Sequence, residues 1–207
     1  TTEIYTLSLH DALPIFLPGV ALALFASMKV KSTFARASQI PSRTGYTGAG
    51  IAQAILDAEG IHDVGIEPTE GHLSDHYDPK AKVLRLSPDV YSGRSLAAAG
   101  VAAHEVGHAI QHARGYAPLA LRNSIVPMAS IGSSLSWIFI MIGIAAMLQP
   151  LAIVGCALFT MVVIFQVVNL PVEFNASRRA RQVLLSNGLV TTVEDREIGK
   201  VLNAAAM

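Results

Sequence analysis

The chain has 207 residues, with 15 basic and 15 acidic side chains and a formal net charge of zero. This balance lacks the basic excess that nucleic-acid-binding proteins need, so no nucleic-acid partner is expected. Its one cysteine, Cys156, excludes an internal disulfide framework, and we interpret it as a packing residue rather than a metal ligand.

The N-terminal segment, residues 1–15, differs in character from the rest of the chain. Its reverse translation matches a widely used sequencing adapter codon by codon, so we predict an artefact that replaced the true start. We therefore leave His10 and Asp11 out of any site. Residues 16–34 are predicted to form a first transmembrane span. The apolar stretch is short for a full crossing, which indicates truncation.

Residues 35–122 carry most of the charge and are predicted to form a cytoplasmic catalytic region. A short helix is expected over 51–59, closed by Gly60, followed by a strand within 61–66. Turn-forming residues dominate 74–79, whereas the alternation of apolar and polar residues over 82–87 predicts a strand.

The His104-Glu105-Val106-Gly107-His108 stretch is the strongest functional signal in the chain. Strong helix formers precede it and Gly115 follows it, which predicts a helix over 96–114. Residues four apart share one helix face, so both imidazoles can reach one Zn²⁺ ion. Glu105 lies between them and can accept a proton from a zinc-bound water, as in HExxH peptidases. The alternative is a surface helix that carries two unrelated histidines.

Residues 123–172 contain no charged side chain and predict a transmembrane helical hairpin. Its two apolar spans cover 125–148 and 151–170, with a tight turn at Gln149 and Pro150. Small residues between 130 and 136 would let the helices approach closely. A buried hairpin of a soluble protein is the alternative.

The distribution of basic residues predicts the orientation of these spans. Arginines and lysines follow the first span and flank the hairpin, whereas the turn between its spans is uncharged. Because cytoplasmic loops carry the excess of Lys and Arg, we expect the catalytic region to face the cytoplasm in a multi-pass cell-membrane protein.

A catalytic zinc needs a third protein ligand, and Glu173 is the best candidate. It follows the last span in the segment 173–207, predicted as a helix and a cytoplasmic tail that ends before a further span. On such a helix Ala176 and Ala180 share its face, so the zinc helix could pack closely through Gly107. A carboxylate that caps a helix is the alternative for Glu173. His112 is a competitor on the zinc helix, but three histidines spaced by four cannot easily surround one tetrahedral ion.

With the HExxH motif, Pro171-Val172-Glu173-Phe174-Asn175 and the 74–79 segment together, the chain resembles the bacterial YugP-type neutral zinc metallopeptidases, and more distantly the gluzincins. The resemblance implies that His104, His108 and Glu173 bind Zn²⁺ and that Glu105 is the catalytic acid and base. In gluzincins an aspartate four residues after the ligand glutamate orients a ligand histidine. Here that position is Ser177, so Asn175 or an aspartate between 75 and 78 is expected to serve instead.

These observations predict a mainly α fold with a small β element: a membrane helical bundle joined to a zincin-like HExxH region. The expected function is an integral-membrane zinc metalloendopeptidase acting on protein or peptide substrates. His76, Asn175 and Arg178 are further candidates for the substrate cleft or for support of the ligands, and the 82–87 strand is expected to hold an extended substrate. An intramembrane zinc protease and a non-enzymatic adaptor with a structural zinc are the alternatives.

Overall fold

The computed structural model describes residues 9–205, and their side chains from residue 17 onward except at position 19. The predicted foreign segment 1–15 therefore lies outside the described residues, apart from the backbone of residues 9–15. The described part is mainly helical with one small sheet, as predicted. In chain order its elements are α1 (Leu9–Ser38), α2 (Gly48–Ala58), β1 (Gly65–Pro68), β2 (His76–Asp78), β3 (Val83–Leu86), α3 (Pro88–Tyr91), α4 (Leu96–Ala113), α5 (Ala117–Ala145), α6 (Gln149–Ser186) and α7 (Thr192–Ala205).

The sheet has the strand order β1-β3-β2, so β3 lies in the centre. It runs parallel to β1 and antiparallel to β2. The strand predicted over 82–87 is confirmed, whereas the strand predicted within 61–66 begins later, at Gly65. The prediction of a turn over 74–79 was wrong for its centre, which forms β2. One cause is the carboxylate of Asp75, which accepts hydrogen bonds from the backbone N–H and the hydroxyl of Ser87 and so holds this segment beside β3.

The core of the polar region is built around α4, which matches the helix predicted over 96–114. Ser95 caps its first turn by accepting a hydrogen bond from the N–H of Ala98 at 3.2 Å. Its alanines and glycines let neighbouring elements approach on nearly all sides, and most of its residues are buried. The larger apolar side chains of α2, β3 and α7 pack against it, including Ile51, Ile55, Leu84, Leu86 and Ile198.

Helices α5 and α6 form an antiparallel hairpin with a different surface. Within the described part of the chain, these two helices alone are long and apolar enough to cross a membrane. Their large apolar side chains are mostly exposed, whereas small residues such as Gly132, Ser136 and Gly143 are buried between them. An added Cβ at Gly143 would lie 2.5 Å from the backbone nitrogen of Ala152, so the two backbones touch there.

Two boundaries of the hairpin differ from the sequence prediction. The turn lies at residues 146–148, and Pro150 belongs to the first turn of α6, where its missing N–H breaks no helical hydrogen bond. The second span does not end near Pro171 but continues as one helix to Ser186. A proline inside a helix removes one hydrogen bond, which packing against neighbours can offset. The first span predicted over 16–34 falls within α1 and stays a prediction.

Candidate metal centre

Three side chains from two helices converge on one point. The Nε2 atom of His104 lies 3.2 Å from Oε2 of Glu173, and Nε2 of His108 lies 3.6 Å from the same oxygen. The ligand-type atoms of the three residues all lie within 4.8 Å of one another. This spacing matches a set of donors that share one small cation.

Both the helical repeat and a glycine contact produce this convergence. His104 and His108 are one turn apart on α4, and their rings stand nearly perpendicular with centroids 4.8 Å apart. Glu173 reaches them from α6 because the two helices cross closely at Gly107. An added Cβ at Gly107 would lie 2.6 Å from the carbonyl oxygen of Ala176. The predicted close packing of Gly107 against Ala176 is therefore present.

Each histidine also has a hydrogen-bond partner at its Nδ1 atom, on the side of the ring away from the convergence point. Nδ1 of His104 lies 3.1 Å from the hydroxyl of Ser177, and Nδ1 of His108 lies 3.1 Å from Oε1 of Gln111. The amide nitrogen of Gln111 donates to the carbonyl of Val172 at 2.9 Å and to Oδ1 of Asn175 at 3.0 Å. With its NH₂ group committed, Gln111 offers His108 an acceptor, so Nδ1–H donates and Nε2 keeps its lone pair in the neutral ring.

This arrangement corrects the expectation for the residues that orient the ligands. Ser177 itself contacts His104, although it replaces the aspartate of the gluzincin pattern. Asn175 does not contact a histidine but accepts a hydrogen bond from Gln111. Asp75 accepts its hydrogen bonds from Ser87. Gln111 was not predicted in this role. Its position three residues after His108 was the available signal, because residues three apart are neighbours on a helix.

Glu105 lies beside the three convergent groups on the wall of a cavity of about 230 Å³. The residue is only 8% exposed, yet among the described residues its carboxylate makes no hydrogen bond. Its oxygens are therefore available to a molecule in the cavity. The other residues that line the cavity are Asp75, His76, Tyr77, Pro79, Leu119, Arg122 and Asn123.

Comparison with known proteins agrees with the site. A family described as "putative neutral zinc metallopeptidase" matches residues 12–207. The chain belongs to this family. It is also 45% identical, over 195 residues, to the "putative membrane protease YugP" of Bacillus subtilis (strain 168). The aligned residues make up 93% of this chain and 87% of that protein. No solved structure matches the chain. The predicted resemblance to the YugP-type neutral zinc metallopeptidases is thus confirmed.

In this metallopeptidase family member, the remaining candidates lie at different distances from the centre. His76 lines the cavity, and its Nδ1 lies 2.8 Å from the carbonyl oxygen of Ser74. Arg178 is exposed on α6 and does not line the cavity, whereas Arg122 does. His112 does not join the cluster, since its Nδ1 lies 2.8 Å from the hydroxyl of Tyr77. Burial raises the pKa of Tyr77 to about 12, so this phenol stays neutral.

The electrostatics of the centre favour a cation. Burial by itself lowers the pKa of His108, but the nearby carboxylates of Glu173 and Glu105 outweigh it, and the net pKa is raised. The local field therefore attracts positive charge. Two imidazole nitrogens and one carboxylate oxygen form the donor set of many catalytic zinc sites, so the residues present fit Zn²⁺.

Proposed function

We propose that this protein is an integral-membrane zinc metalloendopeptidase in which Glu105 is the general base. The observation that carries the proposal is the convergence of His104, His108 and Glu173 in a cavity, beside a Glu105 carboxylate that makes no hydrogen bond within the described residues. The family and the relative named as a membrane protease support it.

The donor set favours a catalytic metal over a structural one. Structural zinc sites fill four positions with protein ligands and favour cysteine, whereas catalytic sites use three and leave one open. In the described part of the chain the cluster has three members, and Cys156 lies on the exposed surface of α6. Zinc held there would supply a Lewis acid that acidifies water and polarises a peptide carbonyl.

The side chains around the metal position would handle the protons. Glu105 would accept a proton from the attacking water and then deliver it to the amine of the leaving peptide. Gln111 and Ser177 would hold the two imidazoles so that both Nε2 atoms point to the same place. His76 and Arg122, which line the same cavity, are the polar groups available to contact the substrate.

The expected role of the 82–87 strand in substrate binding was wrong, because β3 is paired on both sides. The strand with a free edge next to the cavity is β2, which contributes His76 and Tyr77 to the cavity wall. A peptide in extended form would therefore pair with the outer edge of β2, which no other described strand covers.

The exposed apolar surface of the hairpin supports a membrane location. In the most apolar 18-residue stretch of each helix, only 17% of α5 and 6% of α6 is buried. The core helices of a soluble protein are mostly buried instead. The HExxH helix α4 is instead enclosed by α2, α7 and the sheet, which favours catalysis outside the bilayer over intramembrane cleavage. The basic residues that flank the hairpin support a cytoplasmic site.

Cleavage of an unfolded protein such as casein by the purified, zinc-loaded protein tests this function. Glu105→Gln keeps the shape of the side chain but removes the base, so we expect zinc to stay bound while cleavage falls by at least a hundredfold. Glu70→Gln is the matched control, because the Glu70 side chain is exposed and does not line the cavity.

Equal cleavage by the wild type and Glu105→Gln would overturn the assignment of Glu105. Orientation is tested separately by introducing single cysteines at exposed positions of α7 and labelling intact cells with a membrane-impermeant reagent. Labelling from outside the cell would contradict a cytoplasmic site.

A further inference from the structure

Arg122 is the one lysine or arginine among the residues that line the cavity in the described structure. It lies in the second turn of α5, where the hairpin meets the polar region. It is half-buried, so its charge is partly withdrawn from water. No carboxylate lies within ion-pair distance of it among the described side chains, whereas the half-buried Arg85 and Arg181 each contact a carboxylate.

The hydrogen bonds of Arg122 hold the guanidinium without neutralising it. Its Nε donates to Oδ1 of Asn169 on α6 at 3.1 Å, and its Nη1 donates to Oδ1 of Asn123 at 3.2 Å. Both acceptors are neutral amides. A guanidinium has five N–H donors, so three remain for a group in the cavity. Partial burial of an unpaired charge is unfavourable, and an anionic ligand would remove that cost.

The carboxylates of the cavity wall do not neutralise the charge of Arg122. The carboxylate of Asp75 accepts hydrogen bonds from Ser87, and Glu173 faces the two histidines. Glu105 is required as the base in the proposed reaction. The cavity thus presents one fixed positive charge beside the place where a peptide would be cut.

We infer that Arg122 determines specificity by binding a carboxylate of the substrate close to the scissile bond, an inference that rests on the proposed peptidase function. In an endopeptidase the carboxylate is the side chain of an Asp or Glu, whereas selectivity for a free peptide C-terminus would indicate a carboxypeptidase. Asn169 and Asn123 orient the guanidinium for this contact. Since α5 and α6 supply all three residues, the membrane hairpin takes part in substrate selection.

Four versions of one peptide test the inference. They combine a free or amidated C-terminus with Glu or Gln near the cleavage site. Comparing the free with the amidated C-terminus tests the main-chain carboxylate, and comparing Glu with Gln tests the side-chain carboxylate. Binding is measured by fluorescence anisotropy on the full-length, zinc-loaded Glu105→Gln protein, which cannot turn the peptides over. We expect one carboxylate form to bind roughly ten- to a hundredfold more tightly than its neutral partner.

The variants of Arg122 are made in the same Glu105→Gln background. Arg122→Gln should abolish the difference between acid and neutral peptides, and Arg122→Lys should retain part of it because the charge remains. Arg196→Gln, which removes an exposed arginine of α7, should leave the difference intact. Equal binding of acid and neutral peptides by the parent protein would overturn the inference. So would an Arg122→Gln protein that binds both forms more weakly by the same factor, as a purely structural role predicts.

Cleavage of the same peptides separates this inference from the function on which it rests. If the wild type cuts acid and neutral forms with the same kcat/KM, the inference falls and the peptidase stands. If no peptide is cut while the acid forms still bind selectively through Arg122, the carboxylate site stands and the peptidase function falls.

Discussion

The polar region and the α5–α6 hairpin are built by opposite rules. In the polar region, large apolar side chains are buried around α4 and the exposed surface is charged. In the hairpin, large apolar side chains face outward and small residues are buried between the helices. Water drives apolar groups inward, whereas a lipid environment offers no such force and leaves close backbone packing to hold helices together. This contrast fits the proposed membrane location, in which water surrounds the polar region and lipid surrounds the hairpin.

Helix α6 belongs to both regions. Its first half forms the outward-facing apolar surface, and its second half brings Glu173 and Ala176 against α4. The candidate metal centre thus depends on a helix that also forms half of the hairpin. Four predictions test this dependence and the contrast between the regions, beginning with the largest expected effect.

Gly107→Val should separate α4 from α6 and disable the metal centre. The new side chain would collide with the backbone of Ala176, and overpacking of this kind lowers the free energy of unfolding by about 1–3 kcal/mol. We expect the zinc content of the purified protein to fall more than tenfold, measured by elemental analysis. Gly132→Ala is the control in the hairpin, because its Cβ would meet Leu158 at an ordinary 3.7 Å. Normal zinc content in Gly107→Val would refute the close α4–α6 contact.

Lysine substitutions of exposed apolar residues should distinguish the two solvents. Ile138 of α5 is 50% exposed and Val193 of α7 is 71% exposed. Lysine at the centre of a membrane helix costs about 2.5–3.5 kcal/mol on insertion scales, whereas surface substitutions in water change stability by about 0.5 kcal/mol or less. Ile138→Lys should therefore reduce the fraction of protein that resists alkaline extraction from membranes, and Val193→Lys should not. Equal tolerance of both would show that this face of α5 does not contact lipid.

Gln111→Leu should weaken zinc binding about 10- to 100-fold, the usual effect of losing a group that orients a metal ligand. The substitution leaves Nδ1 of His108 without its acceptor and the carbonyl of Val172 without its donor. The dissociation constant for zinc is measured by competition with a chelator. Gln53→Leu, on the exposed face of α2, provides the matched control. An unchanged dissociation constant in Gln111→Leu would remove Gln111 from the site.

Asp78→Asn should have the smallest effect, confined to the sheet and to a defined pH range. The hydrogen bond from Arg85 and those from the backbone of Ala81 and Lys80 lower the pKa of Asp78 to about 2 from its ordinary 3.8. A lowered pKa stabilises the fold fully above the unfolded value, and this contribution is lost as the pH falls through the folded value. The thermal midpoint of Asp78→Asn should lie below that of the wild type at pH 6, and the difference should shrink between pH 4 and pH 2. A difference that stays constant over this range would contradict the assignment.

Local patterns in the sequence were sufficient for much of the fold. The HExxH helix, the strand at Val83–Leu86 and the two apolar helices of the hairpin all follow from spacing or composition. Long, strongly patterned segments are predictable because the pattern repeats over several turns. Segments with weak patterns were not predictable. Strand β2 is three residues long, and it is held in place by its pairing with β3 and by the hydrogen bond between Asp75 and Ser87.

The candidate site divides in the same way. Its donor residues were recognised by type and spacing, since His104 and His108 share a helix face and Glu173 heads a segment of small residues. The groups that hold them were not, because a hydrogen bond between α4 and α6 depends on how the helices cross. Ser177 contacts His104 only through that crossing, and Gln111, a neighbour of His108 on α4, is oriented by its hydrogen bonds to Val172 and Asn175 of α6.

The sequence by itself determined the side chains that the proposed function uses: two histidines and a glutamate for a metal, a second glutamate for proton transfer, and a hairpin apolar enough for a membrane. Only the tertiary structure decided that β2 rather than β3 has the free edge, that Ser177 and Gln111 orient the histidines, and that Arg122 rather than Arg178 faces the cavity. The physical reason is the separation along the chain over which each kind of interaction acts. Side-chain chemistry and helical spacing act within a few residues, whereas strand order and helix crossing depend on contacts between segments tens of residues apart.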